Sequence, residues 1–154
     1  MHLPLPSLPI VSLILLLLQP AAANRYLYMT NCTGNPQNGP WIGMAFYNLP
    51  APPINMEKPY DINILAIGAD RAAAFKWEGR GDGAIMGSWR LSFHIDQDAD
   101  KLERGEIAGG GTKVGDAGRQ GLPFDCYKDD ERRLYQTGNE TYCLSDYWCE
   151  VGDV

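Results

Sequence analysis

The sequence predicts an all-β protein, a single antiparallel β-sandwich or barrel of about 8–9 strands with two disulfides and little helix. Three observations carry this. The 17 glycines and 11 prolines of the 154-residue chain recur as punctuation, and the stretches between them are rich in aromatic and branched residues, which pack well on a pleated surface. Trp89-Arg90-Leu91-Ser92-Phe93-His94-Ile95 alternates with period two, placing Trp89, Leu91, Phe93 and Ile95 on one face and Arg90, Ser92 and His94 on the other. The four cysteines, Cys32, Cys126, Cys143 and Cys149, are an even set in a chain with an export leader.

In chain order the predicted strands are residues 26–30, 41–48, 61–67, 73–78, 85–95, 106–108 with 112–114, 124–128, 134–137 and 141–144. Asp61-Ile62-Asn63-Ile64 alternates before Leu65-Ala66-Ile67 turns continuously apolar, which implies deeper burial. Phe75 and Trp77 alternate inward in Ala73–Glu78, and Arg80-Gly81-Asp82-Gly83 supplies turn residues, so this piece is expected to form a hairpin with the strand containing Leu91. The prolines of Leu49-Pro50-Ala51-Pro52-Pro53 cannot donate ladder hydrogen bonds and read as a stiff surface connection. Ala99–Arg104 is the one expected helical turn.

Residues 1–23 read as a secretory signal peptide: an apolar run from Ile10 to Leu18 is followed by Pro20-Ala21-Ala22-Ala23, small residues suited to cleavage before Asn24. The run is too short to anchor in a bilayer. The working protein is therefore expected to be a secreted, extracellular, monomeric domain over residues 24–154, without a membrane anchor. The expected disulfides are Cys32–Cys149, tying the two ends together, and Cys126–Cys143, closing a hairpin-like excursion. Zinc is disfavoured because no paired C-x2-C spacing occurs and only His94 remains after the leader. Asn31-Cys32-Thr33 and Asn139-Glu140-Thr141 are glycosylation sequons, with Asn139 preferred because Cys32 crowds Asn31.

The formal charge of −6 argues against nucleic acid as a structural partner, since that contact relies on clustered Lys and Arg. Arg132-Arg133, the basic doublet, follows Asp129-Asp130-Glu131 and reads as a solvated turn of mixed charge. No Gly-x-Ser-x-Gly elbow is present. Gly109-Gly110-Gly111-Thr112-Lys113 lacks the order of a phosphate loop and reads as a flexible loop or bulge. Arg80-Gly81-Asp82 matches an adhesion tripeptide that glycine-rich turns also produce by chance.

Three constellations could carry chemistry. His94 and Arg90 on the wet face, with Glu78 on a neighbouring strand, would resemble the base, guanidinium and carboxylate of a small ribonuclease. Asp96, Asp98 and Asp100 offer oxygen ligands at alternate positions for calcium, although Lys101 and Ile107 stand where a calcium loop needs Gly and Glu. A solvated acidic turn is the plainer reading, and no cofactor is required. Finally, Tyr26, Tyr28, Trp41, Tyr47, Tyr127, Tyr135, Tyr142, Tyr147 and Trp148 cluster toward the two ends of the domain. Most are expected in the core, while exposed ones could stack on sugar rings or anchor a protein interface.

Tyr28-Met29-Thr30-Asn31-Cys32, Phe75-Lys76-Trp77-Glu78-Gly79, Ile95-Asp96-Gln97-Asp98-Ala99, Phe124-Asp125-Cys126 and Tyr147-Trp148-Cys149 together resemble small secreted proteins of filamentous fungi. That resemblance implies an effector-like protein delivered outside the hypha to act on a host or competitor, and carries no functional residue. The leading expectation is a non-enzymatic binding protein whose partner is a host or competitor protein or a cell-wall polysaccharide. The alternatives are a lectin-like carbohydrate-binding module, with or without calcium, and the ribonuclease-like enzyme.

Overall fold

The computed structural model describes residues 24–34, 39–49, 52–53, 57–68, 75–79, 81–86, 89–115, 121–137 and 141–152. Residues 1–23, Asn139, Arg80 and the side chain of Trp89 lie outside the described residues. The strands are β1 (Asn24–Cys32), β2 (Trp41–Leu49), β3 (Asp61–Ile67), β4 (Gly81–Met86), β5 (Trp89–Ile95), β6 (Ile107–Gly115), β7 (Leu122–Thr137) and β8 (Thr141–Glu150). They form one antiparallel 8-stranded sheet in the order β3-β2-β1-β8-β7-β6-β5-β4. Two meanders, β1 to β3 and β4 to β8, are thus joined where the first strand pairs with the last.

The sheet curls over its own inner face. Leu27 and Met29 of β1, Met44 and Phe46 of β2, Leu91, Phe93 and Ile95 of β5, Ala108 of β6, Phe124 and Cys126 of β7 and Tyr147 and Cys149 of β8 share one core with Trp77. A second cluster covers the outer side of β1 and β2, with Tyr26, Tyr28, Cys32, Trp41, Tyr47, Leu134, Tyr135 and Cys143. Both faces of these strands are therefore buried, which is why β1 and β2 read as nearly continuous apolar runs.

β8 serves both layers by means of a bulge. Thr30 pairs with Ser145 and Met29 with Tyr147, leaving Asp146 as the extra residue between them. Cross-strand partners share a face, so Cys143 and Ser145 lie with the outer layer, while Tyr147 and Cys149 turn into the inner core. β7 has matching irregularities between Lys128 and Arg132 and between Arg133 and Tyr135.

The disulfides are Cys32–Cys143 and Cys126–Cys149, not the pairs expected. The reason is strand direction. β1 and β8 are antiparallel, so Cys32 at the end of β1 meets the start of β8 and sits opposite Cys143, while Cys149 lies opposite Leu27. Cys149 is instead in register with Cys126 on the other flank of β8. Each bridge thus joins residues directly opposite each other, with Cα–Cα distances of 4.0 and 4.1 Å.

Other expectations change for physical reasons too. Residues 85–95 form two strands, β4 and β5, which pair from Gly81↔His94 to Met86↔Trp89. The glycines placed in a turn, Gly81 and Gly83, belong to β4, at an edge of the sheet. The expected strand 73–78 is absent from its described part: Phe75–Gly79 is a strap joined to β5 by a single parallel bridge from Glu78 to Ile95. The glycine run does not break β6. A Cβ at Gly111 would run into the Ser92 carbonyl and the Phe124 ring, so glycine lets a large ring and a neighbouring strand approach. The helical turn shrinks to a 3-10 turn at Ala99–Lys101.

The outer layer is clamped by Arg132. Its Nε donates to Asp129 Oδ2 at 2.9 Å, and its two terminal nitrogens donate to the Pro53 carbonyl and the Tyr28 hydroxyl, each at 3.0 Å. Asp129 is 1% exposed and also faces Arg104 at 3.5 Å. Removing one member of a buried pair strands the other charge. Arg132→Ala is expected to cost about 3–5 kcal/mol in urea unfolding.

The sequence separations of 111 and 23 residues rank the two disulfides. In the chain-entropy description, removing both members of Cys32–Cys143 by alanine should cost about 5 kcal/mol, and removing Cys126–Cys149 about 3 kcal/mol. Denaturant midpoints of the two double variants check the order.

Candidate functional site

Beyond the reach of the second cluster, the outer face of β5 to β8 is open. Register builds it row by row. His94 pairs with Gly110 and Gly110 with Asp125, while Cys126↔Cys149 sets Glu150 beside Asp125, and Glu150 pairs with Tyr26. His94, Asp125 and Glu150 are exposed. Gly110 forms a floor between His94 and Asp125, and the Asp125 carboxylate leans over it, its Oδ1 being 3.8 Å from where a Cβ would stand. A parallel row sets exposed Ser92 beside exposed Thr112.

The neighbouring row is aromatic. Tyr127, Trp148 and Tyr28 are consecutive cross-strand partners on β7, β8 and β1. Tyr127 and Trp148 stack at 4.6 Å with an interplanar angle of 26°, and Trp148 and Tyr28 at 6.3 Å with 21°. Tyr28 is fully buried, whereas Trp148 and Tyr127 are half-buried. The ladder emerges from the core and ends in solvent beside Asp125 and Glu150. Such a face offers ring surfaces for stacking, with carboxylates, hydroxyls, His94 and Arg90 for hydrogen bonds.

The ribonuclease-like set is not assembled. Glu78 turns to the inner side, where its carboxylate accepts the Tyr147 hydroxyl. His94 stands on the opposite face, its Nε2 3.5 Å from Asp96 Oδ1. The strap carrying Glu78 is bridged to Ile95 of β5, but the Glu78 side chain lies with the inward-facing Ile95 and Tyr147, whereas His94 points to the outer face, and this separates the two. The acidic run is the turn between β5 and β6. Asp98 Oδ1 accepts from Lys101 Nζ at 2.6 Å and Asp96 faces His94, and among the described residues no three acidic, histidine or cysteine side chains converge as for a metal. Asn31 donates its amide to Asp146 Oδ2 at 2.6 Å inside a strand paired on both sides. A glycan there would break that contact. Of the aromatics weighed for binding, Tyr26, Tyr28, Trp41, Tyr47, Tyr135 and Tyr147 are buried.

A second polar group went unnoticed in the sequence. At the bulge, Asp146 is surrounded by Asn31, Glu78, Lys128, Glu131 and Trp77. Burial pushes its carboxyl up to about 7; Lys128 opposes this, Glu131 and Glu78 add to it, and the Trp77 indole opposes it. The Trp77 Nε1–H is nevertheless without an acceptor in hydrogen-bonding geometry. Burial also raises the Tyr147 hydroxyl, helped by its bond to Glu78. No spacing in the sequence marks this group, because β1, β7, β8 and the strap bring it together.

No family model, curated protein or solved structure matches the chain.

The raised Asp146 value fixes the sign of a pH effect. Folding holds this proton across a window in which the unfolded chain has lost it, so the contribution of Asp146 to stability is full near pH 4 and is lost as pH rises to about 7. Asp146→Asn should flatten that slope and exceed the parent at about pH 8 by about 2–4 kcal/mol. Urea unfolding at pH 4.5 and pH 8, or about those values, checks it.

Proposed function

We propose that this is a secreted, non-enzymatic binding protein whose ligand is a cell-wall polysaccharide held on the open face of β5 to β8. The observation that carries the reading is the Tyr127–Trp148 stack, which is half-exposed and continues a buried aromatic ladder. A ring held from behind by Tyr28 and Tyr26 is already ordered, so little side-chain entropy is lost when a sugar stacks on it. Asp125, Glu150, Ser92 and Thr112 supply polar groups for sugar hydroxyls on both sides of the glycine floor. Two cross-strand disulfides support an oxidising, extracellular setting, and the resemblance to small secreted fungal proteins supports an effector-like role. The reading assigns no role to calcium.

A second reading, a protein partner, is favoured by β3. It is an edge strand, and Tyr60 just before it is 78% exposed, with Ile64 at 44% and Ile67 at 36%. Apolar edge strands pair readily with another chain.

Sedimentation with chitin, glucan, xylan and pectin tests the first reading. The oxidised protein should bind at least one saturably, with or without chelator. Tyr127→Ala and Trp148→Ala should each weaken binding about tenfold, roughly 1.4 kcal/mol. Absence of binding to all four rejects the polysaccharide. Capture of a host protein that is lost in Ile64→Lys, with Tyr127→Ala unaffected, would establish the β3 reading.

A further inference from the structure

The outer face of β5 to β8 carries two adjacent rows of different character. One is apolar: Ile107 of β6 pairs with Tyr127 of β7, Tyr127 with Trp148 of β8, and Trp148 with Tyr28 of β1. Ile107 is 60% exposed, so the row leaves the core at Tyr28 and ends in solvent as a ring stack with an aliphatic side chain beside it. The next row on the same face is acidic. Asp125 stands two residues before Tyr127 and Glu150 two residues after Trp148, so the register sets these exposed carboxylates opposite each other. Like charges directly across a strand pair destabilise it, and the sheet keeps this pair although the protein already carries a net charge of −6.

No cation among the described residues is paired with either carboxylate. Glu150 accepts the amide of Asn24, a neutral donor, at 2.9 Å. His94, at the far end of the row, is 3.5 Å from Asp96. Arg104 is engaged by Asp129 and Asp130, and Lys128 lies over the Tyr147 ring on the inner side of the sheet. Arg90 is four residues before His94 on β5, about 13 Å along the strand and more than a Debye length from the pair at physiological salt.

We propose that this face selects a polymer of amino sugars with free amines, such as deacetylated chitin, its ammonium groups lying between Asp125 and Glu150 while its rings stack on Tyr127 and Trp148. The inference rests on the polysaccharide reading above and adds the charge of the ligand. Two residues along an extended strand span about 7 Å, so an ammonium at the rim of a ring stacked on one row is within reach of the carboxylates of the next. An ammonium donates three hydrogen bonds, and the two carboxylates supply charged acceptors for them. Gly110, opposite Asp125, has no side chain to cover that carboxylate. A hydroxyl or an N-acetyl group in the ammonium's place leaves the carboxylates repelling each other, and a uronic acid adds a further negative charge. A basic peptide matches the charge, but a sugar ring also covers the Tyr127, Trp148 and Ile107 row with its apolar face.

The test is the affinity of the oxidised protein, at mildly acid pH, for glucosamine, N-acetylglucosamine and galacturonate oligomers of one length, with polylysine as a cation without rings. The glucosamine oligomer should bind about tenfold tighter than the N-acetylglucosamine oligomer, and the galacturonate oligomer most weakly. The preference should shrink as salt is raised, because exposed charges are screened. Asp125→Asn and Glu150→Gln preserve shape and the acceptor for Asn24; each should lower glucosamine binding about fivefold and leave N-acetylglucosamine binding within about twofold. Tyr127→Ala should weaken both. The double variant Asp100→Asn with Glu103→Gln removes two charges from the turn after β5 and should change neither. Equal losses in that double variant overturn the proposal in favour of attraction by net charge alone. Tight polylysine binding that is indifferent to Tyr127→Ala overturns it in favour of a basic peptide. If the N-acetylglucosamine oligomer binds and the glucosamine oligomer binds no tighter, this proposal falls and the polysaccharide reading stands; if no sugar binds, both fall.

Discussion

The structure depends on how β8 is held. It is the last strand in the chain and yet lies inside the sheet, with β1 on one side and β7 on the other. A disulfide joins it to each neighbour, Cys143 to Cys32 and Cys149 to Cys126. The bulge at Asp146 lies between the two bridges and reverses which side chains face which layer. Without it, Tyr147 and Cys149 could not serve the inner core while Cys143 serves the outer one. The face that Trp148 presents is likewise set by this one extra residue, since Trp148 follows Tyr147 and must point outward if Tyr147 points inward.

Two carboxylates on adjacent strands, the buried Asp129 and the half-buried Asp146, show opposite solutions to the same problem. Asp129 is almost fully enclosed but has Arg132 in direct hydrogen-bond contact and Arg104 beyond it, so its charge is answered where it stands. Asp146 has an amide from Asn31 and a more distant Lys128, set against Glu78 and Glu131. The first arrangement fixes the outer layer by gathering Pro53, Tyr28 and Asp129 onto one guanidinium. The second leaves a charge incompletely met. A lysine is enclosed as well: Lys113, 1% exposed, donates to the Gly152 carbonyl and fixes the chain just beyond β8.

The class of fold was legible because it rests on local pattern. Alternation gave β5, with Leu91, Phe93 and Ile95 inward and Arg90, Ser92 and His94 outward, and it gave β3 as well, but the run Leu65-Ala66-Ile67 does not bring the expected deeper burial, because β3 lies at an edge of the sheet and Ile67 is exposed. What failed was whatever depends on which strand lies beside which. Cysteine parity announced bridges, but the partners follow from antiparallel register between β1, β7 and β8. Gly109–Gly111 looked like a break, since glycine is costly in a strand; the Phe124 ring that requires the glycine is distant in sequence. Phe75 and Trp77 do point toward the core with the alternation of a strand, yet the backbone between them finds no ladder. The open face was half visible, as aromatics gathered near the chain ends, but only the stacking order separates Tyr127 and Trp148 from the buried rings. Asp146 was invisible, since its neighbours come from three separate parts of the chain.

The strand order also governs the sequence of events by which the protein forms. β1, β2 and β3 can pair with one another as soon as they are made, and so can β4 to β7, because each of these contacts joins consecutive strands. Neither half can complete its core until β8 arrives, since among the described strands β8 is the one that pairs across from one half to the other. Cys32 therefore waits for Cys143, 111 positions further along the chain, and Cys126 becomes available before its own partner Cys149. Native pairing is assigned when β8, the strand that zips the halves together, is made, and without β8 the two sheets would have no shared strand to join them.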